Sequence, residues 1–199
     1  GIANTTFLAR EDSLPVIGCD TGPGNNLMDG WIRRHKALPF DDNGEWARTG
    51  RLDAELFARL KADAYFQLTP PKSTGFEYFN QHWLEKYRVD DLAAEDVQAT
   101  LCELTARSIA DAMRDFAEGT RRVIVCGGGA HNDYLMTRLQ ANLPGIAIDS
   151  SAAHGISPDW VEAAAFAWLA QRRLEEKTAN LPSVTGAERA VLLGDIHRH

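Results

Sequence analysis

Cysteine is scarce in this chain: Cys19, Cys102 and Cys126 are the only three among 199 residues. Their count and spacing suit neither a disulfide framework nor a zinc site, so they read as small apolar side chains in a reducing compartment. Basic residues are outnumbered, 21 Lys and Arg against 28 Asp and Glu, for a net charge of -7. Without a basic stripe to displace phosphate counterions, nucleic acid is disfavoured as a principal ligand. No uncharged stretch is long enough to cross a bilayer and no charged-then-apolar leader opens the numbering, so no membrane partner and a cytoplasmic location are expected. The patterns G-x-G-x-x-G, G-x-x-x-x-G-K-[ST] and G-x-S-x-G are all missing, which removes support for a dinucleotide fingerprint, a P-loop or a nucleophile elbow. His131 and His154 lack a second His or Cys at ligand spacing, and no metal site is expected. Repeats and low-complexity segments are also absent.

What remains is an ordinary globular composition, 44% hydrophobic and 25% charged, in a chain long enough to bury a real core. Its organising stretch is Val16-Ile17-Gly18-Cys19-Asp20-Thr21-Gly22-Pro23-Gly24-Asn25-Asn26. An apolar run ends in a carboxylate, a glycine-rich turn follows, and an amphipathic helix opens. An Asp released at the carboxyl end of a strand, just before a helix N-terminus, stands at the mouth of an α/β sheet, where ligands bind. Asp20 is therefore the first candidate for chemistry, with a simple helix cap as the alternative. Gly22 and Gly24 permit close backbone approach, Pro23 stiffens the turn, and the amides of Asn25 and Asn26 would face the same cleft.

In chain order, Ile2 to Leu8 reads as a strand that starts abruptly at Gly1, so further chain is expected before it. Asp12-Ser13 supplies a turn, and the next strand ends at Asp20. Leu27/Trp31 and Met28/Ile32 give helical spacing up to Arg33-Arg34-His35. From about 38 to 91 the breakers Gly44, Gly50 and Pro70-Pro71 interrupt short helical patches, a helical elaboration in which Lys72-Ser73-Thr74-Gly75 reads as a solvated turn, with a loop that contacts an anion as the alternative. Asp96 to Glu118 is the longest helix, with Val97, Leu101, Leu104, Ile109, Met113 and Phe116 near one stripe and Gly119 as its stop. Val123-Ile124-Val125-Cys126 reads as a strand buried on both faces. A helix follows Asn132-Asp133, then a short strand over Ile146 to Asp149. Ser157-Pro158 caps a last helix whose Val161, Ala164, Ala165 and Trp168 should pack inward. Residues 180–186 read as irregular.

Two strand-glycine-helix turns, at Asp20–Gly24 and Cys126–Gly129, would open on one edge of a parallel sheet and make a two-sided cleft. Exposed amides at Gly127, Gly128 and Gly129 would attract phosphate or another polarised oxygen, or else serve packing alone. Glu162, in the first turns of an alanine-rich helix, either answers the helix dipole or accepts a bond from a ligand hydroxyl.

Five stretches, in this order, resemble the anhydro-N-acetylmuramic acid kinases: Gly1-Ile2-Ala3-Asn4, Asp20-Thr21-Gly22-Pro23-Gly24-Asn25, Pro71-Lys72-Ser73-Thr74-Gly75, Cys126-Gly127-Gly128-Gly129-Ala130 and Asn180-Leu181-Pro182-Ser183-Val184-Thr185-Gly186. Such enzymes belong to the actin, sugar kinase and Hsp70 superfamily. The resemblance implies an α/β fold: a ribonuclease-H-like lobe with a mixed sheet flanked by helices and a helical insertion. It implies that residues 1–199 are the C-terminal lobe of a two-lobed enzyme using ATP and Mg²⁺, partnered by an N-terminal lobe and by a second copy in a homodimer. Residues 1–199 alone would be inactive. The implied activity is ring hydrolysis of a 1,6-anhydro sugar with phosphorylation of O6, in peptidoglycan recycling. By the same resemblance Asp20 is the general base, Asn25 and Glu162 contact the sugar, and Gly1, Gly22, Gly127, Gly128, Gly129 and Asn132 contact the nucleotide. The alternative is a non-catalytic nucleotide-dependent binding module on the same scaffold. Two positions depart from the pattern: Cys19 replaces a common aromatic, and Phe76 stands where a basic residue is usual.

Overall fold

The computed structural model describes residues 1–9, 11 and 14–197, and the turn expected at Asp12-Ser13 lies outside them. Ile2–Phe7 (β1) and Ile17–Pro23 (β2) pair antiparallel. Ala3 faces Gly22 whereas Asn4 faces Asp20, so Thr21 is the extra residue of a β-bulge. Its hydroxyl donates to Ala3 O at 3.2 Å. β2 was expected to end at Asp20, but the bulge lets it continue through Thr21 and Gly22 to Pro23. Asp20 thus sits within the strand, where the bulge alters the local twist and re-aims its neighbours.

Asn26–Lys36 (α1) buries Leu27, Met28, Trp31 and Ile32, the expected face, and closes on Ala37 in the left-handed conformation. Short helices follow: Glu45–Thr49 (α2), Ala54–Lys61 (α3), capped by Asp53, and Gln81–Glu85 (α4), capped by Asn80. Among the described residues no strand interrupts this region.

Ala94–Phe116 (α5) is the 23-residue spine of the molecule. It buries the expected Val97, Leu101, Leu104 and Met113, and it also buries Gln98, Thr100, Glu103, Thr105 and Ser108. Such polar groups need partners inside a core. Gln98 donates to Asp41, Glu103 accepts from Arg138 and Asn142, and Thr105 reaches Pro23 O at 3.1 Å and Gly24 O at 2.9 Å. The last contact fixes the turn between β2 and α1 onto α5.

Beyond the Gly119 turn, Arg122–Val125 (β3), Asp133–Asn142 (α6) and Ala147–Ser150 (β4) form a strand-helix-strand unit with parallel strands. The molecule is therefore α/β, with small sheets flanked by helices. Among the described residues there are two two-stranded sheets, β1-β2 and β3-β4, in place of one mixed sheet. β3 is not buried on both faces: Ile124 is 52% exposed and Cys126 is exposed. The reason is that β3 pairs with β4 on one edge while its other edge borders an open cleft.

Val161–Leu174 (α7) starts later than expected, with Ser157-Pro158 in the turn before it and Trp160 at the cap position. None of its residues is buried, and Trp168, expected inside, is 49% exposed. Pro182–Thr185 (α8) replaces the irregular run expected there and packs on β2.

Replacing Thr105 by Val should leave two buried carbonyls without their donor and lower stability by about 1–3 kcal/mol. Urea unfolding at neutral pH measures it; an unchanged midpoint would show that Thr105 does not secure the turn.

Candidate active site

Asp20 is gripped on three sides by chain distant in sequence. Its amide donates to Lys72 O at 3.1 Å, its carbonyl accepts from the Tyr65 hydroxyl at 2.9 Å, and its Oδ2 accepts from the Thr74 amide at 2.8 Å. Oδ1 has no protein partner among the described residues and is not a buried orphan, so it stays open to solvent. A carboxylate fixed through one oxygen and free at the other can accept a proton from a bound water.

The surrounding strand is tightly enclosed. A Cβ on Gly18 would stand 2.8 Å from a Val184 methyl, and one on Gly186 would stand 3.4 Å from Pro71. Residues 18–20, 71–74 and 180–186 therefore meet around one strand. Lys72-Ser73-Thr74 is not the solvated turn that its local sequence suggested, because its backbone is spent on Asp20.

Tyr65 belongs to an aromatic cluster anchored by Asp63. Asp63 accepts from the Tyr65 amide, the Tyr78 hydroxyl and the Trp83 indole at 2.8–2.9 Å. Burial raises the Tyr65 pKa, with the Asp20 charge adding to it. Burial lowers that of Lys72, whose ammonium lies 4.8 Å from the Tyr65 ring centre. Burial also pushes the Asp63 carboxyl up, but its three donors outweigh this and hold it below the ordinary aspartate value.

The second glycine turn faces the first. Gly1, Gly24, Asn25, Gly127, Gly128, Gly129, Asp159 and Glu162 all line one cleft of about 1480 Å³. The Asn25 side chain stands 3.5 Å and 3.6 Å from where Cβ atoms of Gly128 and Gly129 would be. Gly24 and Asn26 amides hold Gly1 O, and the Gly127 amide donates to Pro158 O at 3.0 Å, tying this turn to the start of α7. Gly127 has φ +76° with nothing within 4 Å of a Cβ position, so its backbone is bare on the cleft side.

Three predicted residues do not line this cleft. Asp20 lies with the Lys72–Thr74 loop. Gly22 has φ +146° and packs on Phe66, 2.7 Å from a Cβ position. Asn132 caps α6 by accepting from the Leu135 amide at 2.9 Å. Thr74 and Tyr65, which hold Asp20, were not singled out from sequence; Thr74 lies in one of the five resembling stretches, whereas no local pattern marks Tyr65.

The family model described as anhydro-N-acetylmuramic acid kinase matches residues 1–199. Curated proteins named anhydro-N-acetylmuramic acid kinase are similar along the same span. One from Coxiella burnetii (strain Dugway 5J108-111) is 48% identical over 198 residues, covering 99% of this chain and 53% of the relative. One from Xanthomonas oryzae pv. oryzae (strain MAFF 311018) is 52% identical, covering 99% and 52%. The chain belongs to the anhydro-N-acetylmuramic acid kinase family. It spans about half the length of the curated relatives it matches. A kinase family implies ATP, and at Gly127, where nothing lies within 4 Å of a Cβ position, the turn has open space on its cleft side to receive such a group. No group of three His, Cys, Asp or Glu side chains that could hold a metal occurs among the described residues.

The depressed Asp63 pKa makes stability pH-dependent with a definite sign. Its contribution is present above the ordinary aspartate value, near 4, and is lost as pH falls through the folded-state value. Asp63→Asn should therefore lower the urea midpoint at pH 7 and flatten its decline between pH 5 and 2; an acid limb as steep as that of the wild type would remove Asp63 from this role.

Proposed function

We propose that these residues are the C-terminal, ribonuclease-H-like lobe of a cytoplasmic kinase that hydrolyses the 1,6-anhydro ring of anhydro-N-acetylmuramic acid and phosphorylates O6, in peptidoglycan recycling. The N-terminal lobe and a second copy are its protein partners. The observation that carries this reading is the bond from Thr74 to Asp20, which orients one carboxylate oxygen and leaves the other for a water. Family membership supplies the substrate class.

Asp20 Oδ1 takes a proton from the water whose oxygen bonds to C1 of the sugar. A carboxylate beside that carbon also offsets the positive charge developing on it. The C1–O6 bond breaks, and O6 becomes the acceptor of the phosphoryl group. Thr74 prevents the carboxylate from swinging as it gains the proton, and Tyr65 holds the Asp20 backbone in place. On this reading Glu162 and Asn25, which line the cleft, take sugar hydroxyls, although Asp20 is not itself part of that lining. Gly1 and Gly127–Gly129 offer backbone to the nucleotide, while Gly22 and Asn132, occupied within the protein, are left out of the binding set. ATP, when bound, supplies the phosphoryl group. Mg²⁺ enters as the counter-ion of the nucleotide, and no step above depends on it.

In the complete polypeptide, Asp20→Asn should lower phosphorylation of the anhydro sugar by about 10²–10⁴-fold, the range of a lost general base, and leave ATP affinity nearly intact. Wild-type product formed in ¹⁸O-water should carry one labelled oxygen at C1. Undiminished turnover by the Asn variant would remove the base assignment, and unlabelled C1 would replace ring hydrolysis with transfer to an ordinary hydroxyl.

A further inference from the structure

Residues 180–186, one of the stretches that resemble the family, have no task in the chemistry assigned to the cleft, and neither Asn180 nor Val184 lines it. Their structure is nevertheless closely specified. Asn180 is buried, and its side chain closes a loop on itself: Oδ1 accepts from the Val191 amide at 2.6 Å and Nδ2 donates to Arg189 O at 3.1 Å. The Ala179 amide donates to Val191 O at 3.1 Å beside them. Outside this pinch Arg172 donates to Thr178 O and Arg173 to Gly194 O, which fastens both ends of the loop to α7. A side-chain amide offers a donor and an acceptor at once, and here both are used to hold main chain.

The closed loop bears on the two pieces of chain that hold Asp20. Val184 of α8 meets β2 at Gly18, where a Cβ would stand 2.8 Å from its methyl, and Gly186, left-handed at the end of α8, meets Pro71, 3.4 Å from its own Cβ position. Alternate residues of a strand share a face, and the bulge at Thr21 lies beyond Asp20, so Gly18 and Asp20 point the same way. Val184 therefore presses on the face of β2 that carries the carboxylate. Pro71 adjoins Lys72, whose carbonyl takes the Asp20 amide, and leads into Thr74, whose amide fixes Oδ2. Moving that loop about 1 Å off β2 would stretch the 2.8 Å bond from Thr74 past hydrogen-bonding range.

We propose that residues 178–191 form a clip, locked by Asn180, that presses the Pro71–Thr74 loop onto β2 and so sets the orientation of the Asp20 carboxylate. Asn180 and Val184 are then positioning residues: they act on the reaction only through Gly18, Pro71 and the bond from Thr74. Their effect on turnover rests on the reading of Asp20 as the general base, whereas the grip on Thr74 does not. Gly18 belongs to the same device, since any larger residue there would push α8 away from the strand.

Two measurements on the complete polypeptide separate the grip from the chemistry: hydrogen exchange of the Thr74 amide, and kcat for phosphorylation of the anhydro sugar. Asn180→Ala should speed Thr74 exchange by more than about tenfold. It should lower kcat by about 10-fold to 10²-fold, the cost of a displacement near 1 Å, with KM for ATP unchanged because the clip does not line the cleft. Gly18→Ala, which drives a Cβ into Val184, should do the same. Adding Val184→Ala to it should return both values to within about threefold of the wild type, a rescue that a general loss of stability would not give. Thr74 exchange untouched by Asn180→Ala, or a Gly18→Ala defect that Val184→Ala does not relieve, would overturn the clip. Faster Thr74 exchange with undiminished kcat would overturn its role in positioning, and Asp20→Asn then tells two failures apart. Lost turnover in that variant confines the failure to the clip; undiminished turnover removes the base as well.

Discussion

Burial of α5 on every side is the constraint on which the rest of the structure depends. A helix with one apolar stripe can rest on a single surface, but this one must also satisfy Gln98, Glu103 and Thr105 away from water. Each pairs with a different part of the chain: Asp41 in the helical elaboration, Arg138 and Asn142 on α6, and the Pro23–Gly24 turn. An unmade bond of this kind costs more than a made one gains, so the partners are held in register rather than merely in contact. The turn after β2 and the helix after Gly129 are thereby both referenced to one spine. That shared reference lets Asn25 stand beside Gly128 and Gly129 although about a hundred residues separate them.

Elements whose signal is local were legible in the sequence. The apolar spacing of α1 and α5, the glycine stop after α5 and the breakers between 38 and 91 could be read from neighbours a few residues apart. The end of β2 could not. Thr21 looks like the start of a loop, and only its pairing with the far strand, through Ala3, makes it a bulge with two more strand residues beyond it. The loop from Lys72 to Thr74 was misread for a related reason. Its composition is that of a solvated turn, and the group that employs its backbone is a carboxylate more than fifty residues earlier in the chain.

The face of a helix that is apolar and the face that is covered are separate facts. Periodicity along α7 marks Val161, Ala164, Ala165 and Trp168 for inward packing, and none of them is buried; the apolar run of β3 marks a strand, and it is one. Neither pattern says whether the layer that would cover it lies within the same 199 residues. Hydrophobic burial is non-directional and depends on area removed from water, so a stripe with no layer against it remains exposed however well its spacing is written. Cys126 illustrates the same point: a small apolar residue just past the end of β3, it is exposed where the chain lines the cleft.

The way Asp20 is held also bears on its chemistry. No lysine or arginine forms an ion pair with it among the described residues; the charged neighbour in its loop, Lys72, instead lies against the Tyr65 ring. An ammonium or guanidinium in contact would bring several donors and compete with water for both carboxylate oxygens. A single backbone amide has one hydrogen to give, and Thr74 gives it to Oδ2. Because that amide belongs to the main chain, and the loop is fixed in turn by the Lys72 carbonyl on the Asp20 amide, orientation of the carboxylate does not rely on a flexible side chain. Fixing one oxygen with a minimal donor leaves the other without a protein partner among the described residues, an arrangement compatible with accepting a proton.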